Sequence, residues 1–536
     1  MEKSIRAYFE DLESLVRPLR KAISLGWWGK ETTGETVFQE IVQTLGEHLE
    51  SINADPERFG QVKSWHERRE EIGDPLLRRI VEESYLGAVG NQKTPGEISE
   101  SLKLSIKISS TFVSHRSEVG GKKMSDNDLL EILKESNDND ERQEAWEASK
   151  TIGVVVRDDV IALAHLRNGW AQRLGFRDYY AMRLETQEVE ESFLYQLLDD
   201  LAAQTKVPFL AHKATDDAKR SQRFGTPIND LMPWHYENPF FQDVPVDPSL
   251  TDPWFREKDL EALALETFDS VGLDIRPSLE KSDLYEREGK NQHGFCLSVD
   301  DSVQDTRVLC NLRPNTQWAD TILHEYGHAI YNLLSVEDLP WFLQGPAHTN
   351  STEAIAMIFG RQVLRPDWLT AFLGVSHEEL ASSKNALADG QNYKMLAFSR
   401  WMQVMCRFER ALYADPDQDL NKVWWDLKER YQGLNRPEGR DAPDWASKIH
   451  IPNSPVYYHN YMIGEMTASQ LEHTIHKESG KGLLKNEEAG IFLRKMFSLG
   501  STLRWDTLVE RMTGAPLSAN AWATDFAHPP KSSMES

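Results

Sequence analysis

Two histidines stand four residues apart around a glutamate in the stretch ILHEYGHAIY, residues 322–331. On an α-helix a four-residue step turns about 400°, so the imidazoles of His324 and His328 share one face and can reach the same metal ion. Glu325 points to the side of that face, where a carboxylate can act as general base on metal-bound water. The pattern predicts one catalytic zinc ion per chain, because neutral imidazole binds zinc well and zinc lowers the pKa of bound water to about 7.

Chance is the competing explanation for this pattern. Residue frequencies in a chain of 536 residues give about 0.04 accidental matches to H-E-x-x-H. The flanking Ile322, Leu323, Ala329 and Ile330 predict a buried helix, in which two histidines without partners would lose their hydration. A bound metal ion compensates for that loss, so the metal site is the stronger interpretation.

A catalytic zinc also needs a third protein ligand and one open position. The downstream candidates are Glu337, Asp338, His348 and Glu353. The segment NSTEAIAMIFGRQVL predicts a helix capped by Ser351 or Thr352, which places Glu353 in the first turn, ahead of an apolar face. A carboxylate there needs a partner. We therefore prefer Glu353 as ligand over a plain N-terminal helix carboxylate, with His348 in reserve.

Helices are expected to position these residues, because most of the chain has helical periodicity. In NKVWWDLKERYQG, for example, Trp424, Leu427 and Tyr431 fall on one face. Strand signals are sparse, and the segments 293–300 and 307–312 predict one hairpin just upstream of the histidines. The predicted fold class is all-α (mainly α), with a small β-hairpin near the metal helix.

The composition limits the classes of partner. With 85 acidic and 60 basic residues, the net charge of −25 would repel a phosphate backbone, so nucleic acid is not an expected partner. The N-terminal segment has no apolar core like that of a secretory signal, and no run approaches eighteen apolar residues. We therefore expect a soluble cytoplasmic protein without a membrane partner. The oligomeric state is not indicated.

Three cysteines in a chain of this length do not form a disulfide framework. Cys296, Cys310 and Cys406 are predicted to be reduced thiols, and pairing of Cys296 with Cys310 across the hairpin is the alternative.

The sequence resembles the angiotensin-converting enzyme family of zinc peptidyl-dipeptidases. The string HEYGH…LP…TEAIA is similar to that family's metal region, and WWDLKERYQG, KIHIPNSPVYYHNY and EEAGIFLRKMFSLGS follow its order through the C-terminal third. The interval of 25 residues between His328 and Glu353 equals that of the related thimet-type oligopeptidases. Spacing alone does not distinguish the two groups, and the C-terminal order favours the peptidyl-dipeptidases.

The resemblance implies roles for the metal region. His324, His328 and Glu353 would hold zinc. Glu325 would activate the attacking water and return its proton to the leaving amine.

The resemblance also implies roles for residues that no spacing argument selects. His450 matches a histidine that stabilises the tetrahedral intermediate and donates a proton, and Tyr461 matches a tyrosine that hydrogen-bonds the oxyanion. Lys448 and Tyr458 match groups that bind the C-terminal carboxylate of the substrate. His293 matches a histidine on the strand along which the peptide lies.

Two of these matches leave alternatives open. Tyr458 is matched by allowing one extra residue in the preceding loop, so Tyr457 remains a rival for the carboxylate role. In PWHYENPFFQ, the position of a carboxylate-binding glutamine falls on Tyr236, or on His235.

Two further positions depart from the family pattern. Asn460 stands where chloride-activated members have arginine, which argues against chloride activation. Met357 replaces an acid that supports a zinc-bound histidine, so that support must come from elsewhere.

We thus predict a zinc metallopeptidase with a single catalytic domain, residues 1–526, made of two helical lobes around a deep cleft, and a disordered tail at 527–536. It is expected to hydrolyse short peptides and to release C-terminal dipeptides. The alternatives are a thimet-type endo-oligopeptidase and a non-catalytic peptide-binding protein with a vestigial metal site. The presence of Glu325 argues against the last of these, because a structural metal does not require it.

Overall fold

Helices form most of the protein, as a computed structural model shows. The structure describes residues 1–300, 304–334 and 338–531. The α-helices in these ranges are α1 (Glu2–Thr33), α2 (Thr36–Asn53), α3 (Pro56–Glu67), α4 (Pro75–Val89), α5 (Pro95–Ser114), α6 (Asp126–Glu135), α7 (Asn139–Arg173), α8 (Tyr179–Thr186), α9 (Glu191–Phe224), α10 (Asp252–Phe255), α11 (Leu260–Asp269), α12 (Arg276–Leu279), α13 (Thr316–Leu333), α14 (Thr349–Gly360), α15 (Pro366–Trp368), α16 (His377–Ala414), α17 (Leu420–Gln432), α18 (His450–Asn453), α19 (His459–Ser479), α20 (Glu487–Phe497), α21 (Trp505–Thr513) and α22 (Asn520–Phe526). The mainly α fold class is confirmed.

Two antiparallel hairpins make up the sheet structure of the described residues. Strand β3 (Phe295–Asp300) pairs with β4 (Asp305–Leu309), which confirms the predicted hairpin. Strand β1 (Ser117–Val119) pairs with β2 (Lys122–Met124) around a two-glycine turn. Sequence periodicity does not predict this second hairpin, because three-residue strands are too short to show alternation. The three cysteines are free thiols, as predicted.

The chain divides into two compact units, each built from separate stretches of sequence. Unit 1 contains residues 1–92, 247–384 and 463–521. Unit 2 contains residues 93–246 and 385–462, and the described chain from Trp522 onward. No helix in the described ranges is long and apolar enough to cross a membrane.

The core of unit 1 surrounds α13. This helix packs against α14, α11 and the β3–β4 hairpin. It begins where the side chain of Asn315 accepts a hydrogen bond from the backbone N–H of Trp318 at 2.9 Å. On its buried side, Phe268 of α11 lies between Tyr326 and Phe359 of α14, with ring centroids 6.5 and 4.1 Å away. Helix α13, which carries His324 and His328, is thus fixed on three sides.

The core of unit 2 is rich in aromatic residues. Trp424 of α17 makes edge contacts with Trp401 and Phe408 of α16, at centroid distances of 5.9 and 5.1 Å. Trp424 and Tyr431 are both buried, as the helical pattern predicts. Helix α17 ends at Gly433, whose φ of 61° suits glycine.

The predicted disordered tail lies partly within the described residues. The carbonyl oxygen of His528 lies 3.0 Å from Nε2 of His212, and the backbone N–H of Lys531 donates to Asp389 at 2.8 Å. Residues 532–536 lie outside the described residues.

Candidate metal centre and substrate-binding residues

Helix α13 places the two histidines of the H-E-x-x-H pattern side by side. The ring centroids of His324 and His328 are 4.9 Å apart and the ring planes are nearly perpendicular, at 85°. One helical turn separates them, as the four-residue spacing predicts. Both Nε2 atoms point to the same carboxylate, that of Glu353.

Helix α14 supplies this carboxylate. Oε2 of Glu353 lies 3.8 Å from Nε2 of His324 and 3.9 Å from Nε2 of His328. Around a tetrahedral zinc, ligand atoms lie about 3.3–3.6 Å apart. The structure therefore brings the three predicted ligands nearly to ligand spacing, and they form the one such group of His, Cys, Asp or Glu among the described residues.

The start of α14 differs from the prediction. The helix begins at Thr349, and its N-cap is His348, whose Nδ1 accepts the backbone N–H of Asn350 at 3.1 Å. The predicted caps Ser351 and Thr352 therefore lie inside the helix, and Glu353 lies in its second turn. His348, the reserve ligand, caps the helix, and the candidate Glu337 lies outside the described residues.

Glycines let the helices around this centre approach closely. A Cβ atom on Gly327 of α13 would lie 2.6 Å from Cα of Ala356 in α14, and one on Gly360 would lie 2.6 Å from Oδ1 of Asp320. A Cβ on Gly464 of α19 would lie 3.1 Å from Cβ of Glu353. A side chain at Gly327 would meet the backbone of α14 and would push that helix, and Glu353 with it, away from the histidines.

The ionisation of the three side chains fits a divalent cation. Burial lowers the pKa of His324, and burial together with the charge of His324 lowers that of His328 to about 3. Both imidazoles are therefore neutral, which is the ligand form. Burial and the charge of Glu465 raise the pKa of Glu353 to about 7. A cation would offset the cost of ionising this buried carboxylate, so the donor set suits zinc.

Thr352 orients one of the ligands. Its Oγ1 lies 2.8 Å from Nδ1 of His328, so a donated Nδ1–H leaves Nε2 free for a metal. The carboxylate of Asp320 lies one turn before His324, and its charge acts to raise the pKa of the His324 imidazole. Thr352 thus gives His328 the kind of hydrogen-bonding support that Met357 cannot provide. The sequence-based prediction did not assign this orienting role to Thr352. Its position directly before the ligand Glu353 is the signal that could have indicated the role.

Glu325 lies beside the ligands without joining them. The backbone N–H of Cys296 in β3 binds its carboxylate, and burial and the charge of Glu353 raise its pKa to about 8. It is only 9% exposed. A carboxylate with a raised pKa, held next to a metal centre, has the properties of a general base. His293, just before β3, is exposed, and its backbone N–H donates to Asn291.

Three of the other predicted site residues, His450, Tyr458 and Tyr461, lie in unit 2 and form a ring cluster there. The ring of Tyr458 lies 5.1 Å from that of His450 and 5.8 Å from that of Tyr461. Nζ of Lys448 lies 5.8 Å from the centroid of Tyr458. Tyr457 contacts Tyr461 at 5.2 Å. Because Tyr458 adjoins Lys448, we prefer it to Tyr457 for the carboxylate role.

Three buried lysines surround Phe240 in the same unit. The ammonium groups of Lys150 and Lys448 lie 3.5 and 5.2 Å from its ring centroid, and Lys428 donates to its carbonyl oxygen at 2.8 Å. Burial lowers the pKa of Lys448 to about 8 and that of Lys428 to about 7. Burial also holds the pKa of Lys150 well below its usual value. Lys448, with a pKa of about 8, is mostly protonated at pH 7 and can attract an anion despite the acidic chain.

Tyr236 lies apart from these lysines. Its hydroxyl donates to Asp217 at 2.8 Å and accepts from Lys213 at 2.6 Å, and its side chain is 2% exposed. We therefore do not retain Tyr236 among the substrate-binding residues. The amide beside Lys448 is Gln242, whose Oε1 accepts from the ammonium group at 2.6 Å. Gln242 stands at the end of PWHYENPFFQ, the segment in which the resemblance implies a carboxylate-binding residue.

Comparison with known proteins gives one consistent result. Residues 236–529 match a family model described as angiotensin-converting enzyme. Angiotensin-converting enzyme of Rattus norvegicus is 22% identical, over 90% of this chain and 40% of the relative. Angiotensin-converting enzyme-like protein Ace3 of Mus musculus is 24% identical, over 74% of this chain and 59% of the relative. In both cases the chain covers less than two thirds of the relative's length.

Replacing Gly327 by alanine should destabilise unit 1. The new methyl group would clash with α14, which costs about 1–3 kcal/mol, and better helix propensity would offset about 0.5–1 kcal/mol of this. Urea denaturation and zinc titration would measure the effect, and weaker zinc binding should accompany it. Gly46→Ala in α2 is the control, because a Cβ there meets nothing within 4 Å. Equal stability of the two variants would contradict the proposed crowding.

Replacing Thr352 by valine should weaken zinc binding about 10–100-fold, because the shape is kept but the partner of His328 is lost. Competition with a chromophoric chelator would measure the affinity. Thr352→Ser retains the hydroxyl and should bind zinc nearly as well as the wild type. Unchanged affinity in the valine variant would rule out the orienting role.

Proposed function

The chain belongs to the angiotensin-converting enzyme family, and we propose that it is a zinc peptidase that removes dipeptides from the C-termini of short peptides. The observation that carries the proposal is the convergence of His324, His328 and Glu353, with Glu325 beside them. A purely structural zinc site has four protein ligands and no need of a neighbouring general base.

The residues of unit 1 suit hydrolysis of an amide. Zinc bound by the three ligands would act as a Lewis acid and lower the pKa of water. Glu325, with its raised pKa, can take a proton from the attacking water and deliver it to the leaving amine. The backbone N–H of Cys296 holds this carboxylate in place while the proton moves.

The residues of unit 2 suit the recognition of a peptide end. Lys448 and Gln242 offer a cation and an amide, and Tyr458 adds a hydroxyl, which together match the chemistry of a terminal carboxylate. The resemblance assigns the oxyanion to Tyr461 and His450, and fixed O–H and N–H donors suit that charge. Burial and the charge of Lys448 lower the pKa of His450 to about 4, so its imidazole is neutral at pH 7.

Dipeptide release rests on the charged subsite around Lys448. An endo-oligopeptidase has no requirement for a free carboxylate at the end of its substrate. A panel of short peptides with free and amidated C-termini, digested with and without chelator and analysed by mass spectrometry, would distinguish the two. Dipeptides from the free peptides alone support the proposal, and internal fragments from both forms support an endo-oligopeptidase. No product at all would favour a non-catalytic peptide-binding protein.

Replacing Glu325 by glutamine should lower kcat by about 10²–10⁴-fold, because the base that accepts the proton is lost. Zinc content, measured by atomic absorption, and the circular dichroism spectrum should stay as in the wild type. Glu266→Gln, on the exposed side of α11, is the matched control and should keep full activity. Loss of zinc together with activity would show that Glu325 acts on the metal and not on water.

Replacing Lys448 by methionine should raise KM for peptides with a free C-terminus about 10–100-fold, since the charged partner of the carboxylate is lost. KM for amidated peptides should change little. In the wild type, kcat/KM for the free peptides should fall as the pH rises through about 8, where Lys448 loses its charge. Lys422→Met on the exposed face of α17 is the control. Equal effects on both classes of peptide would refute the carboxylate role.

A further inference from the structure

Val456, directly before the two tyrosines of the ring cluster, has a backbone conformation that valine rarely adopts. Its φ is +55°, in the left-handed region, where a β-branched side chain is strained. The residue is 1% exposed. Such strain persists only where the surroundings enforce it, and it is concentrated at functional sites.

Two polar side chains from different helices hold this residue. The backbone N–H of Val456 donates to Oε1 of Glu409 in α16 at 2.7 Å. Its carbonyl oxygen accepts from Nε2 of Gln187, the C-cap of α8, at 3.0 Å. Both backbone groups of the strained residue are therefore bound by side chains.

Gln187 also reaches the helix that carries Tyr461. Its Oε1 accepts from Nδ2 of Asn460, in the first turn of α19, at 2.8 Å. The backbone N–H of Asn460 in turn donates to the carbonyl oxygen of Tyr457 at 3.0 Å. The amide pair thus ties Val456 to the start of α19 across the two intervening tyrosines.

The carboxylate of Glu409 is costly to bury in unit 2. It is 2% exposed, and burial raises its pKa to about 8, so a carboxylate at this position lowers the stability of unit 2 relative to an apolar side chain. Its helix also supplies Trp401, whose ring meets that of Tyr458 at 6.1 Å. Helix α16 therefore contacts the segment 456–458 at both of its ends.

We propose that Glu409 and Gln187 are positioning residues, which hold Val456 in its left-handed conformation and thereby fix the rings of Tyr458 and Tyr461. The inference rests on the proposed function, which uses Tyr458 for the substrate carboxylate and Tyr461 for the oxyanion. Loss of the clamp, meaning the contacts of Glu409 and Gln187 with Val456, should raise KM and also lower kcat.

Hydrogen exchange tests the clamp without any turnover. Glu409→Leu removes the acceptor, whereas Glu409→Gln keeps an oxygen for the N–H of Val456. Exchange in peptides covering residues 450–461 should be about tenfold or more faster in the leucine variant and within about threefold of wild type in the glutamine variant. Equal exchange in both variants would overturn the proposal. If Glu409→Leu does not fold, Gln187→Met at its half-buried position replaces it.

Rescue at Val456 separates positioning from ordinary packing. Glycine adopts a positive φ without strain, whereas alanine removes the same methyl groups and keeps the strain. The double variant Glu409→Leu with Val456→Gly should therefore have a kcat/KM within about threefold of that of the Val456→Gly single variant. Val456→Ala should restore nothing. Equal rescue by both, or by neither, would show that Glu409 serves packing only.

The two levels of failure are distinguishable. If the wild type hydrolyses no peptide, the proposed function fails, and hydrogen exchange still decides whether the clamp exists. If the wild type is active and exchange in residues 450–461 does not respond to Glu409→Leu, the clamp fails while the function stands.

Discussion

The metal centre depends on how closely the backbones of α13 and α14 approach each other. A histidine pair on one helix gives two ligands at a fixed spacing, but the third must come from a separate helix at the correct distance. Gly327 and Gly360 permit that approach because neither has a Cβ atom in the crossing region. The bond between Thr352 and His328, and the effect of the Glu353 charge on the pKa of Glu325, both depend on this short distance between helices.

Each unit buries several ionisable side chains of the same type, whose charged forms would weaken its stability. Unit 1 places Glu325, Glu353 and Glu465 close enough for their charges to interact. Unit 2 does the same with Lys150, Lys428 and Lys448. A cation and an anion respectively are the partners that would relieve these costs. The proposed function places a metal ion in one unit and a substrate carboxylate in the other, which are partners of these two signs.

Sequence reasoning predicted features that arise from local periodicity. The pairing of His324 with His328 follows from helix geometry, and the β3–β4 hairpin follows from alternation and turn residues. Contacts between distant segments were not predictable in this way. His348 displaced the expected caps of α14 because an imidazole can also accept from the backbone. Gln242 binds Lys448, whereas Tyr236 binds Asp217 and Lys213, and no periodicity in the segment indicates which of the two meets the lysine. The role of Glu409 depends on a strained residue 47 positions away.

The interleaving of the two units along the chain has a consequence for biosynthesis. Unit 1 is completed by residues 463–521, which include Gly464 and Glu465 next to Glu353, and the middle of the chain alternates between the units. A ribosome must therefore synthesise nearly the whole chain before unit 1 has all its segments. Domains formed from continuous sequence can fold one after another as they emerge, whereas here α14 is made long before α19, the helix that packs beside Glu353. We expect the nascent protein to need chaperones, and truncated versions that lack the last hundred residues to aggregate.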